Sequence, residues 1–401
     1  MAGVEQGWRR WAIIALSVGL IAAPALLLLY RTLAHPSGRV DFTPIWLAGR
    51  MWGDGLNPYG DQFIAIGRTL SPDPELQPHG WFYPPQWWAI CAALGRLPLA
   101  VAGQVWGAIS LAALALSAML CWRASDRLAN PPPLWLKSVF VAFLLTMEPT
   151  NASLFLGQTS LLMTLGIALV AAGMVGMGEA LAVAGLVILM LKPQLGAVAA
   201  AIMLLQPGMR RAVLIAALVS AVATLPALAI VGVRETLGAW FHQLASYQSF
   251  GHNQPAELTG VVQITSRVGL LSVITLPAAV ALYAVSLLLV PAPMRSDRRL
   301  RWLLLLAAIA AAVPLHAYDL SFVAAAALLA WDAGWAAGAT LWLALIVLHR
   351  ARTIGAVLAV SGDPNLAGAR IATVSVLLLL AGTLAAIVHA RRQSGGAHAR
   401  S

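Results

Sequence analysis

The chain has 401 residues, of which 60% are apolar and only 10% charged, and its mean hydropathy is +0.81. These values exclude an ordinary soluble domain and make lipid the solvent for most of the chain. The net charge of +10 comes from short basic clusters and not from a long stripe, which argues against a nucleic-acid partner.

Apolar runs cover Trp11 to Tyr30, Val101 to Cys121, Thr159 to Met177, Ala212 to Val233, Val268 to Val290 and Ile371 to His389, with shorter or broken runs between them. Each is near the roughly 20 residues that span a bilayer. The expectation is an all-α polytopic transmembrane protein with about 12 membrane helices, short broken ones included, built as a single domain over 1–392. The first run has no small-residue cleavage site behind it and reads as a signal anchor. Arg9/Arg10, Arg123/Arg127/Lys137, Arg210/Arg211, Arg295/Arg298/Arg299/Arg301 and Arg391/Arg392 mark cytoplasmic turns and termini. Residues 31–83 then form a long first external loop. Gly157-Gln158, Lys192, residues 234–265 and His316 fall on the same side.

That loop carries Asp41, Asp54, Asp61, Asp73 and Glu75, a third of the fifteen acids in about an eighth of the length. Asp41 follows the first helix closely, at the membrane surface. A carboxylate desolvated there can serve as general base toward an acceptor hydroxyl; the plain alternative is a surface carboxylate or helix cap. Beyond the loop, Pro84 to Pro98 is too short for a span and reads as re-entrant or juxtamembrane. Farther on, Ala180 to Leu191 and Leu195 to Leu205 read as two short helices bent at Lys192-Pro193, a break tolerated at membrane depth only beside a cavity.

Lys192 is one of two lysines and lies in an apolar stretch, where a charge is expensive. Its expected partner is a phosphate; a lysine snorkelling from a helix end is the alternative. His316 and Asp319 are candidates for a leaving phosphate or sugar hydroxyls, or form a plain helix-end pair. Gln158 offers an amide to a sugar or phosphate and Tyr83 an aromatic surface, though capping and the interfacial aromatic belt explain them equally. His252, with Asn253 and Gln254, is a candidate acceptor contact. Cys91 and Cys121 lie in apolar segments as buried small hydrophobes. The eight histidines show no ligand spacing and no nucleotide-binding glycine motif is present, so neither metal nor cofactor is expected. Residues 393–401, polar and glycine-containing, read as a disordered cytoplasmic tail.

The run Asp41-Phe42, Trp46-Leu47-Ala48-Gly49-Arg50 and Gly55-Leu56-Asn57-Pro58-Tyr59 resembles the first-loop pattern of glycosyltransferase family 87, polyprenol-phosphate-mannose-dependent enzymes of the GT-C superfamily. Phe82-Tyr83-Pro84-Pro85, Gly157-Gln158 and Leu191-Lys192-Pro193-Gln194 resemble further landmarks in the same order; the chain beyond Asp319 carries none. The resemblance implies a GT-C-like fold and an inverting sugar transfer, most simply of mannose, from a polyprenyl-phosphate donor to a lipid-linked or exported glycan. The reaction would take place on the external face of the cell (inner) membrane. It places Asp41 as the base and Asn57 and Tyr59 among the substrate contacts. One base suffices for a single displacement, unlike the two carboxylates of glycosidases. A transporter or lipid flippase is the alternative from another class, because broken helices and an intramembrane lysine are ordinary there too. A catalytically silent scaffold retaining the fold is a third.

Overall fold

The computed structural model describes residues 2–34, 40–70, 80–206, 208–246, 253–266 and 275–398. Among these the regular structure is helical, with no strand and one isolated antiparallel bridge between Thr259 and Leu315.

The chain starts with α1 (Ala2–Ala34). A 3-10 turn at Val40–Phe42 then leads into α2 (Thr43–Gly53) and α3 (Asp61–Leu70). The segment expected as a long loop is therefore largely folded. Pro44 sits in the first turn of α2, where its missing N–H costs nothing, and Ile45, Ala48 and Trp52 recur at helical spacing on the buried face. This face packs against α4 (Trp88–Gly95), which follows a 3-10 turn at Pro85–Trp87. The approach is backbone to backbone: a Cβ on Gly49 would lie 1.8 Å from the Cys91 carbonyl oxygen, and one on Gly95 would lie 2.5 Å from the Arg50 nitrogen. At eight residues, α4 is too short to be a span.

Next come α5 (Leu99–Ser125) and a pair bent by 41°, α6 (Leu134–Thr146) and α7 (Glu148–Leu156). These are followed by α8 (Ser160–Met174), α9 (Glu179–Met190), α10 (Pro193–Leu204), α11 (Arg210–Val231), α12 (Val233–Ser246), α13 (Val261–Ser266), α14 (Thr275–Leu289) and α15 (Arg298–Ala312). A 3-10 stretch, Ala317–Ala325, runs into α16 (Ala326–Ala330). A second pair, α17 (Trp335–His349) and α18 (Ala351–Val357), is bent by 75°, and α19 (Pro364–His398) closes the chain. That last helix continues past Gln393, where a polar tail was expected, as far as His398.

Among the described residues, four stretches are long and apolar enough to cross a membrane: Ala12–Thr32, Leu99–Ser125, Arg210–Val231 and Pro364–Ser394. Counting each bent pair as one span raises that number to six, and the expected dozen, which included short broken helices, is not reached by full-length spans. The difference lies in length. At 1.5 Å per residue, helices of 12 to 15 residues such as α8, α9, α10 and α15 reach roughly 18–22 Å, whereas the hydrocarbon layer is about 30 Å thick. Both α8 and α15 are buried nearly all round, the pattern of helices enclosed by protein. Small residues let α8 and α9 meet closely: a Cβ on Gly185 would lie 2.6 Å from the Gly166 carbonyl oxygen. A continuous apolar core links these helices, from Phe42 through Leu306 to Ala390.

Candidate active site

Two helix breaks build the site. α7 ends at Gly157, whose left-handed φ of 73° suits a residue without a Cβ, and the Gln158 N–H turns back to the Ser153 carbonyl at 2.9 Å. The Gly157 carbonyl accepts from Trp106 Nε1 at 2.8 Å, which fixes the turn. Gln158 is thereby held beside the 3-10 turn that carries Asp41.

The second break is Lys192-Pro193. Proline at the first position of α10 removes a backbone donor and drives Lys192 to an extended conformation, φ −123° and ψ 90°. The Leu191 carbonyl is satisfied by the indole of buried Trp87, Nε1 to oxygen 2.7 Å. The break expected from the sequence is thus present between α9 and α10, and it aims Lys192 across the bundle.

Lys192 Nζ donates to Asp319 Oδ1 at 2.7 Å, and both side chains are buried. Ser160 Oγ, in the first turn of α8, donates to the same oxygen at 2.6 Å, and the His316 backbone N–H donates to Oδ2 at 3.1 Å. Asp319 is therefore a neutralised carboxylate with three donors. Its own N–H returns to the His316 carbonyl at 2.9 Å, closing the cap of the 3-10 stretch. The His316 ring stacks on Tyr318 with centroids 4.9 Å apart.

Asp41 is held differently. Gln158 Nε2 donates to its Oδ2 at 2.6 Å and lies 3.1 Å from the Tyr318 hydroxyl. Asp41 remains partly exposed while Gln158 is buried. One amide thus joins the acidic turn at Asp41 to the His316–Asp319 segment, and through Asp319 to Lys192. Five residues singled out in the sequence, Asp41, Gln158, Lys192, His316 and Asp319, meet in one cluster from four parts of the chain. Tyr318 and Ser160 belong to it as well and were not anticipated. Tyr318 lies in the His316-Ala317-Tyr318-Asp319 run, so only its position between two candidates signalled it.

Tyr83 flanks the cluster, its hydroxyl 3.4 Å from Thr159 Oγ1 and its ring 5.1 Å from those of Trp81 and Trp87. Tyr59 donates its phenol to the Tyr83 carbonyl at 2.8 Å, and burial pushes that phenol well above its usual pKa, keeping it a neutral donor. Asn57 forms a local turn by accepting from the Tyr59 N–H at 3.0 Å, and its amide reaches the Glu235 carbonyl at 3.2 Å on α12. Both residues thus hold the Tyr83 segment in place. His252 lies outside the described residues.

The family model described as glycosyltransferase family 87 matches residues 81–317, more than half of the chain. Gln158, Lys192 and His316 fall inside that stretch, whereas Asp41 and Asp319 lie outside it. No curated protein matches.

Proposed function

The chain belongs to glycosyltransferase family 87 and is a membrane glycosyltransferase, and from that premise we propose an inverting transfer with Asp41 as general base. The observation that carries this reading is the 2.6 Å contact from Gln158 to Asp41, which ties a partly exposed carboxylate through the same amide to Tyr318, the sequence neighbour of the buried, ion-paired Asp319. The two acids are suited to different tasks. Asp319 is satisfied by Lys192, Ser160 and the His316 N–H. Asp41 Oδ2 accepts from the amide of Gln158, and its carboxylate, partly exposed, is the one within reach of an acceptor hydroxyl in this proposal.

The donor in this proposal is a polyprenyl-phosphate sugar, most simply mannose, and the acceptor a hydroxyl of a lipid-linked or exported glycan on the external face of the cell membrane. The acceptor oxygen attacks the anomeric carbon while its proton passes to Asp41. The carbon–oxygen bond to phosphate breaks with its electron pair leaving on the phosphate, and the configuration inverts. Lys192 has three ammonium donors, of which one is directed at Asp319, so it can also face the departing phosphate. In this proposal His316 assists that departure. A transporter or flippase reading loses ground because the family is one of glycosyltransferases.

The test is transfer from labelled polyprenyl-phosphate mannose to membrane lipids by purified protein, wild type against Asp41→Asn. Asparagine keeps an oxygen for the Gln158 amide but has no basicity. Turnover should fall by about 10²- to 10⁴-fold, with donor binding and extracted yield near wild type. Transfer by the variant at close to the wild-type rate would remove Asp41 as the base.

A further inference from the structure

Helices α8, α9 and α15 run from the cluster around Asp41 and Asp319 to the opposite end of the bundle, where the arginines collect. Hydrogen bonds tie the turns together there: Arg298 Nη1 donates to the Arg127 carbonyl at 3.2 Å, Lys137 pairs with Asp126, and Arg299 with Asp332. These contacts gather Arg127, Lys137, Arg298 and Arg299 against Asp126 and Asp332. The surplus there is positive.

A cleft of about 590 Å³ opens here between α6, α17 and α19, lined among others by Trp135, Trp331, Trp335, Trp342, His389 and Gln393. Its size falls within the roughly 300–1,000 Å³ of small-molecule sites. Trp335, Gly338 and Trp342 lie on one face of α17, and the glycine between the two tryptophans sits close to Ala330, whose carbonyl oxygen a Cβ there would approach to 3.2 Å. Gly334, at φ +84°, allows α19 to come close, since a Cβ there would lie 2.8 Å from the His389 ring. Trp335 is 88% exposed and Trp135 49%, a large apolar investment facing outward. Farther along α17, exposed Leu343 and Ile346 continue the apolar surface.

The mouth of the cleft has the opposite chemistry. Asp332 adds no free negative charge, because Arg299 Nη2 holds its Oδ2 at 3.1 Å and Asn130 donates to the same oxygen. His389 and Gln393 line the cleft with their side chains hydrogen-bonded at 2.9 Å, and exposed Arg392 follows His389 by three residues on α19, which brings a cation to the edge of the cleft. Aromatic walls at the end of apolar helices, with arginine above them, match an acyl chain that ends in an anionic headgroup.

We propose that this cleft binds an anionic phospholipid, its acyl chain along Trp335 and Trp342 and its phosphate at Arg392 and His389. The site is distinct from the Asp41 cluster, and the proposal does not depend on the transfer reaction. Purified full-length protein is equilibrated with phosphatidylglycerol or phosphatidylcholine of the same acyl chains, and bound lipid per protein is read by native mass spectrometry. Phosphatidylglycerol should be retained at least about fivefold better, the discrimination expected from one basic residue at a membrane surface. Arg392→Gln should remove that preference, and Trp335→Ala should lower retention of both lipids. Both side chains are exposed, so neither substitution opens the core, and unchanged unfolding temperatures confirm this. Equal retention of the two lipids, or retention indifferent to either substitution, would overturn the proposal. A lipid-free dimer mass would overturn it too, by assigning the cleft to a second copy.

Discussion

Replacing Lys192 by methionine removes the ammonium from a carboxylate that is 3% exposed. Methionine fills the volume of the lysine stem, so the change is mainly electrostatic. Asp319 keeps Ser160 Oγ on Oδ1 and the His316 N–H on Oδ2, two neutral donors, and loses the ammonium that pairs with it. Removing one member of a buried ion pair typically costs about 3–5 kcal/mol, mostly the penalty of the charge left behind. Asp319→Asn in the Lys192→Met background discharges that penalty. The double variant should then sit only about 1–2 kcal/mol below wild type, the scale of a few altered hydrogen bonds. The measurement is unfolding of the four proteins of this cycle in one detergent, with bound polyprenyl-phosphate donor recorded for each. A coupling above about 1 kcal/mol is expected; single costs that add within about 0.5 kcal/mol would refute the pairing as an energetic unit. The donor measurement separates stability from function. Wild-type donor affinity in the folded double variant would confine Lys192 to being the counter-ion of Asp319.

Three further outcomes follow from the same geometry. Gln158→Met keeps the bulk but not the amide that orients Asp41; since a hydrogen bond to a charged group is worth about 1.5–3 kcal/mol, turnover should fall roughly tenfold or more, and an unchanged rate would show that Asp41 needs no orientation from α7. Trp87→Phe retains a tilted ring contact with Tyr83 but orphans the Leu191 carbonyl, so thermal unfolding should report a loss of about 1–3 kcal/mol. Gly49→Ala places a methyl 1.8 Å from the Cys91 carbonyl oxygen, and forced separation of α2 from α4 should lower extracted yield, at a cost of at least about 1–3 kcal/mol; a wild-type yield would mean that the two helices do not approach as described.

Much of the local architecture was legible in the sequence because the signals are local. Proline after Lys192 dictates a break wherever the helix lies, and glycine before Gln158 supplies the left-handed turn that ends α7. Apolar runs fix which segments prefer lipid or protein to water. The same runs do not say how deep each helix sits, so the run of α8 reads as a span until its length and all-round burial show it to be a short, enclosed element, as α15 is, whereas α9 and α10 already read as short helices bent at Lys192-Pro193. A high density of acids and turn residues also disguised α2, whose helical face becomes apparent only once α4 is there to cover it.

The grouping of the site was decided by tertiary structure alone. Lys192 and Asp319 are 127 positions apart, and Gln158 and Asp41 are 117 apart. Periodicity and motif spacing report what one helix or one turn requires, and they fall silent over such separations. The sequence determined that an intramembrane lysine must find an anion, because an unpaired charge there is too costly. Packing decided that Asp319 supplies that anion, and that Tyr318, unremarkable in sequence, stands beside the amide holding Asp41. The physical reason is that charge compensation acts through space, between whichever helix ends the folded core brings together.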